Sequence, residues 1–370
     1  MGAWFLASLA AGDVAVNRAF RPPDDPKAVP GQLRTYFNHG LSIEGKIRRA
    51  VGPTDASTVP LAFAGWVESH AASTPVPELP PGGLLATFYG MSFTNDVAMK
   101  LADLDPRIRV RLLGGPAAPA NHSYALYSAD RGPGSSVVVL GVLGSSVAGV
   151  GTNNGMTWRF EGPAPFTYPR YHARPSGLEA EWPAIRTLDD FRSALDDPAR
   201  WDEFVSGIRA TDDFYNAFLF RRDPGDRSVL VRMARRAVAQ RWQAARAAEV
   251  HGRSGFVEGS TAVASLRGIV AAFAADARRD GKMPVILMLQ DQGFRDHLDR
   301  ALGPVLRRDR IPHLSTHAIC PDTDTRNFLP DGHFTAEGNR KIAEALLDLL
   351  RLEFPDRLAR PADGRGKAPG

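Results

Sequence analysis

Leu84-Leu85-Ala86-Thr87-Phe88-Tyr89-Gly90-Met91-Ser92-Phe93-Thr94 is the stretch on which the reading of the fold turns. From Leu84 to Tyr89 the run is apolar apart from one threonine, the pattern of a strand buried on both faces, as in parallel sheets. Gly90 ends the run, and Val97, Ala98, Leu101 and Leu104 then recur at helical spacing. Ser92 therefore falls in a tight strand-to-helix turn at the carboxyl edge of a sheet, where open α/β sheets bind ligands. Its own N–H and the helix N-terminus can there face a developing oxyanion.

Four more segments read as strands: Ile108 to Leu113, closed by Gly114-Gly115-Pro116; Val137 to Leu143, closed by Gly144-Ser145-Ser146; Met283 to Leu289; and Ile311 to Ser315. Helical patterns occupy Thr261 to Arg278, His297 to Arg308 and Ala336 to Leu350. Strands separated by helices make right-handed βαβ units, so the chain predicts an α/β fold with a parallel five-stranded sheet. Residues 83–353 form that domain, interrupted by an insertion at about 157–250. The insertion opens with Trp158, Phe160, Phe166, Tyr168 and Tyr171 among prolines, either buried or free to stack on sugar rings, and ends in an arginine-rich helix over Asp226 to Arg246. On that helix Val231, Ala234, Val238, Trp242 and Ala245 share one face and Arg232, Arg235 and Arg246 fall elsewhere, which predicts a solvated basic face.

Residues 1–82 read as an N-terminal arm and connector. Ala3 to Ala11 is apolar but is interrupted by Asp13, so it is either the stump of a membrane anchor or a short amphipathic helix. Arg21 to Pro30 reads as an extended connector, Leu33 to Val51 as one short helix, and the prolines and glycines of Pro75 to Gly83 as a break before the main domain. Residues 354–370 read as a disordered tail. Lys plus Arg is 45 against 41 acidic residues, an excess too mild to argue for nucleic acid. Cys320 is the sole cysteine, which excludes an intramolecular disulfide, and it lacks the helix-start context of a reactive thiol.

A second stretch, Asn327-Phe328-Leu329-Pro330-Asp331-Gly332-His333-Phe334-Thr335, leads into the last helix, whose apolar face carries Ile342, Leu346, Leu349 and Leu350. Thr335 is placed to cap that helix and Glu337 to complement its dipole. Asp331 and His333 sit in a loop stiffened by Pro330 and bent by Gly332. Histidine exchanges protons near neutrality, and a neighbouring carboxylate can fix its tautomer. His313 and His317 share no helical face, and Asp322 and Asp324 lack the rest of a calcium loop, so no metal site is expected. No cofactor is expected either.

A serine after the first strand, glycine turns after the second and third, and Asp-x-His before the last helix resemble, in order and context, the SGNH (GDSL-type) hydrolase superfamily. Gly90-Met91-Ser92 matches its Gly-Asp-Ser block with methionine in place of aspartate, Gly115 matches the oxyanion-hole glycine, and Asp331 with His333 matches the last block, down to Gly338. The third block, Gly-x-Asn-Asp, is replaced by Gly144-Ser145-Ser146-Val147, so Ser146 takes the place of the asparagine, with Asn121, Asn153 or Asn154 as alternative donors. The two-residue spacing of Asp331 and His333 is similar to that of members acting on polysaccharide acetyl groups, including alginate-type O-acetyltransferases. A Gly-x-Ser-x-Gly elbow is absent, since Thr94 follows Phe93, which disfavours the ordinary α/β-hydrolase fold.

The resemblance implies a three-layer α/β/α fold of flavodoxin-like type. It implies catalysis by Ser92, His333 and Asp331, with Ser92, Gly115 and Ser146 around the oxyanion. The implied substrate is an acylated small molecule or a glycan, and the implied location is extracytoplasmic, periplasmic or membrane-associated. Three functions follow as expectations: a serine-dependent ester hydrolase of the short-acyl or carbohydrate-deacetylase kind, an O-acetyltransferase of exopolysaccharide modification, or a catalytically silent glycan-binding relative.

Overall fold

The computed structural model describes residues 2–19, 31–51 and 64–358. Its centre is a five-stranded sheet of β1 (Leu84–Gly90), β2 (Ile108–Gly114), β3 (Val137–Leu143), β8 (Met283–Leu289) and β9 (His313–Ser315), in the order β2-β1-β3-β8-β9. Every neighbouring pair runs parallel. The chain starts at an inner strand, moves out to β2, then returns across β1 to β3, so the strand order reverses between β1 and β3. Such a reversal splays the loops at the carboxyl edge and opens a crevice there.

Alternation along the buried strands sorts the core into two layers. Leu84, Ala86 and Phe88 of β1, Val137 and Val139 of β3, and Val285, Leu287 and Leu289 of β8 face one side, against α5 (Ser92–Leu104) and α13 (Ala336–Glu353). Tyr89, Val138, Leu140, Val142, Ile286 and Met288 face the other, against α6 (Ala120–Asp130), α11 (Thr261–Arg279) and α12 (His297–Arg308). The result is an α/β/α sandwich, as the near-continuous apolar strands predict.

The helix α5 lies unusually close to the sheet. A Cβ on Gly90 would come 2.2 Å from the Thr94 hydroxyl, and one on Gly141 only 2.0 Å from it. These two glycines let the first turn of α5 settle on β1 and β3, which fixes where Ser92 stands.

The insertion carries the hairpin β4 (Arg170–Arg174) and β5 (Gly177–Glu181), helices α7 (Leu188–Asp196), α8 (Pro198–Thr211), α9 (Ala217–Phe220) and α10 (Val229–Ala248), and the short pair β6 (His251–Gly252) and β7 (Gly255–Phe256). Its aromatics bury themselves: Phe160, Phe166, Tyr168 and Tyr171 join the core on the α6–α11 side of the sheet, so those four are not a sugar-stacking platform. From the N-terminal arm, α3 (Ile43–Val51) and α4 (Val67–Ser73) join that core through Ile43, Ile47 and Val67, together with Trp66 just before α4. α1 (Gly2–Ala19) lies against α10, where Asp13 accepts the Leu230 N–H at 3.0 Å. Among the described residues no helix is long and apolar enough to cross a membrane.

Several expectations are corrected. Leu33 to Val51 is two helices, α2 (Gln32–Asn38) and α3, because the chain breaks at Gly40, which packs directly on the Arg232 carbonyl. The basic helix turns inside out: Arg232 and Arg235 are buried, while Val238 is 41% exposed. Asp223 and Asp226, in the turn just before α10, draw Arg235 inward through contacts of 2.8 and 2.5 Å, and an unpaired buried carboxylate would cost far more than an exposed valine. Within the expected tail, Pro355–Leu358 is a helical turn, α14, whose Leu358 is fully buried. The connector at 21–30 and the tail beyond 358 lie outside the described residues.

Candidate active site

The loop between Asn327 and Thr335 is a miniature hairpin. Phe328 bridges Phe334, the Leu329 N–H donates to the His333 carbonyl at 2.7 Å, and the Gly332 N–H donates to the Leu329 carbonyl at 2.9 Å. Pro330 suits the first corner of such a turn, and Gly332, at φ +90°, takes the left-handed position that closes a three-residue loop. Thr335 then caps α13 by accepting the Gly338 N–H. His333 is thereby held between a tight turn and a packed helix.

Ser92 is the first residue of α5, 241 positions away in sequence, yet its Oγ lies 2.7 Å from His333 Nε2. Phe93 stacks on the imidazole at 4.2 Å, with the planes 16° apart, and Phe334 meets Phe93 edge-on. Phe93 is buried, so the ring it supports has one face fixed. This contact was not part of the sequence reading, although an aromatic directly after the candidate nucleophile is a visible signal.

Asp331 contacts His333 in two ways. Its Oδ1 accepts the His333 backbone N–H at 3.1 Å, and its Oδ2 lies 3.3 Å from Nδ1, without the alignment of a hydrogen bond. The backbone N–H and the nearby imidazole hold the Asp331 carboxyl below its ordinary pKa. Asp331 is 67% exposed and His333 27%, so solvent screens their attraction. Asp96, one helical turn beyond Ser92, is a second carboxyl within electrostatic reach of His333. Burial raises its pKa, His333 lowers it and Asp331 raises it further. The i, i+4 spacing from Ser92 was there to be read.

Met91, which precedes α5, offers no side-chain cap, so the N–H groups of the first turn are not claimed by a side chain. Gly115 follows β2 directly, and β2 pairs Gly114 with Gly90. Gly115 and Ser92 thus leave neighbouring strands at the same edge. A Cβ on Gly115 would press on His122, Phe166 and Gly65, so the turn admits no side chain.

Ser146 does not offer a free hydroxyl: its Oγ donates to the Leu143 carbonyl at 2.9 Å. The alternative asparagines are also committed. Asn121 donates to the Thr152 and Pro169 carbonyls, Asn153 to Thr211, and Asn154 to Asn153 and Asp212. Asp212 is a buried carboxyl, pushed up to about 7 by burial despite hydrogen bonds from Thr157, Asn154 and Phe214. The asparagines therefore belong to an internal network that seats the insertion. His122 is structural as well, with Nε2 2.6 Å from the Gly65 carbonyl and its pKa driven down to about 4 by burial.

At the same edge, Ser145 N–H donates to Asp291 at 3.1 Å, and burial raises the Asp291 pKa. The structure therefore brings Ser92, His333 and Asp331 together. It places Gly115 at the same sheet edge, at the end of the neighbouring strand, and ties the Ser146 hydroxyl to the Leu143 carbonyl. The sequence matches no protein-family model, and no curated protein matches it.

Proposed function

We propose that the protein is a serine-dependent ester hydrolase, acting on short acyl groups such as the acetyl esters of carbohydrates through an acyl-enzyme. The 2.7 Å contact between Ser92 Oγ and His333 Nε2, at the crevice where the strand order reverses, carries this reading. His333 takes the Ser92 proton as Oγ attacks the ester carbonyl, then returns it to the leaving alcohol. Asp331 and the Phe93 ring keep the imidazole in register. The developing oxyanion is received by the first-turn N–H groups of α5 and by the Gly115 turn. Water resolves the acyl-enzyme. Ser92 is exposed, which suits an ester carried on a bulky or polymeric body. The resemblance to SGNH hydrolases, and to their polysaccharide-modifying members, agrees with this chemistry and with an extracytoplasmic setting.

One observation favours the silent glycan-binding reading: the engagement of Ser146, Asn121, Asn153 and Asn154 elsewhere, since a missing oxyanion donor costs about 3 kcal/mol of transition-state stabilisation. Release of acetate from an activated acetyl ester decides between them. An esterase releases acetate in the wild type and not in a folded Ser92→Ala variant, whereas a binding protein releases none in either. An O-acetyltransferase would instead release little acetate, and on addition of a glycan acceptor would free the leaving alcohol while the acetyl group appears on the glycan.

A further inference from the structure

Away from the Ser92 edge, an open pocket of about 660 Å³ lies between α3 and the 3-10 turn Pro224–Arg227 that precedes α10. Four arginines line it, Arg48 and Arg49 from α3 and Arg222 and Arg227 from the turn region, with two acids, Asp223 and Asp226. Both acids are already engaged. Asp226 accepts from Ser42 N and Oγ and from Arg235, and Asp223 accepts both of its contacts with Arg235 and the Gly225 N–H. Arg48 is paired with Glu44. No carboxylate partner for the guanidinium groups of Arg49, Arg222 or Arg227 is found among the described residues.

The surroundings add to this imbalance. Burial and the charge of Arg49 lower the pKa of Arg34, and burial, Arg34 and Arg49 lower that of Arg232 against the opposing charges of Asp226 and Asp13. Arg232 Nη1 is buried without a hydrogen-bond partner. At the pocket itself Arg48, Arg49, Arg222, Arg227 and Arg235 stand against Glu44, Asp223 and Asp226, five positive charges to three negative, an excess that an anion would offset. Guanidinium forks match tetrahedral oxyanions, and the volume is that of a small-molecule site rather than of a bare ion.

We propose that this pocket binds a phosphomonoester-type dianion, with Arg49, Arg222 and Arg227 supplying the forks. The site is separate from the Ser92 edge and does not rest on the proposed esterase chemistry.

The full chain is titrated calorimetrically with inorganic phosphate and with glycerol 3-phosphate, and is co-sedimented with phosphatidylcholine vesicles with and without phosphatidic acid, all at about 0.15 M salt to screen diffuse attraction. An Arg49→Gln/Arg222→Gln variant is measured alongside. Saturable binding in at least one arm, weakened about 100-fold in the double variant at roughly tenfold per charged contact, is expected. A soluble-ligand response identifies a small phosphorylated molecule, and a response confined to phosphatidic acid vesicles identifies a lipid headgroup. Thermal unfolding of the unliganded variant checks its fold; should the variant fail to fold, Arg227→Gln on the exposed turn is read in its place, with a tenfold loss expected. Absence of saturable binding in every arm, or equal binding by wild type and a folded variant, overturns the proposal.

Discussion

The seat of α5 can be tested by a single methyl group. In Gly141→Ala the new Cβ would stand 2.0 Å from Thr94 Oγ1, 2.8 Å from its methyl and 2.9 Å from its Cβ, where ordinary contact begins near 3.4 Å. Relief therefore asks the helix start to retreat by about 1.4 Å, the difference between 3.4 and 2.0. Overpacking of that order costs about 1–3 kcal/mol. Because Ser92 opens the same turn, a displacement near 1 Å should also slow ester hydrolysis about 100-fold, out of proportion to the stability lost. Truncating Thr94 to alanine leaves 2.9 Å as the closest approach and removes most of the clash. Alone, Thr94→Ala should lie within about 1 kcal/mol of wild type. It gives up a methyl, yet it also deletes a buried hydroxyl with no hydrogen-bond partner among the described residues. Urea unfolding and acetyl-ester hydrolysis of the two single variants and the double variant complete the cycle. The double variant should recover most of the stability and rate lost in Gly141→Ala. Equal losses from Gly141→Ala in both backgrounds, within about 0.3 kcal/mol, would refute the wedge.

Arg235→Met should lose about 3–5 kcal/mol in urea unfolding, because it strands the largely buried Asp226; a loss under about 1 kcal/mol would mean that the pair is dispensable. Asp212, pushed up to about 7, keeps in the folded state a proton that the unfolded chain sheds near its ordinary value of 3.8, so its contribution to stability falls as pH rises through that interval. His122, held near 4 against an ordinary 6.5, acts in the opposite sense: the unfolded chain takes up the proton first, and stability rises with pH by about 3 kcal/mol across that window. Asp212→Asn should therefore give a steeper rise in stability from pH 4 to 6.5 than the wild type, and an unchanged profile would contradict the assignment. Asp331→Asn should slow hydrolysis by about tenfold, far short of the roughly 10⁴ of a buried and aligned acid, since Asp331 is exposed. The Asp331 pKa lies below its ordinary 3.8, so protonation of that carboxylate should cause no fall in the wild-type rate above about pH 4, and a limb there that vanishes in Asp331→Asn would contradict this.

Local pattern carried the reading wherever local pattern decides structure. The β1 run and the Gly90 turn have no other physical outlet than a doubly buried strand feeding a helix, and Pro330 and Gly332 dictate the loop that holds His333. The inward turn of Arg232 and Arg235 could not be read from helical periodicity, because what holds them, the Asp226 carbonyl for Arg232 and the Asp223 and Asp226 carboxylates for Arg235, lies in a separate turn. The break at Gly40 depends on the Arg232 carbonyl, nearly two hundred residues away, and the fate of Ser146 on a hydroxyl choosing a carbonyl three residues back. Phe93 and Asp96 were visible as residues, yet their relation to His333 exists only once the two ends of the sheet domain meet.

That meeting is tested most directly by the rate at which a fluorophosphonate modifies Ser92, followed by mass spectrometry in the wild type and in His333→Ala. Activation of Ser92 by His333 predicts a single adduct on Ser92 in the wild type and a fall in its rate of at least about 100-fold in the variant. A wild-type Ser92 that stays unmodified, or one that reacts equally fast without the imidazole, would contradict it.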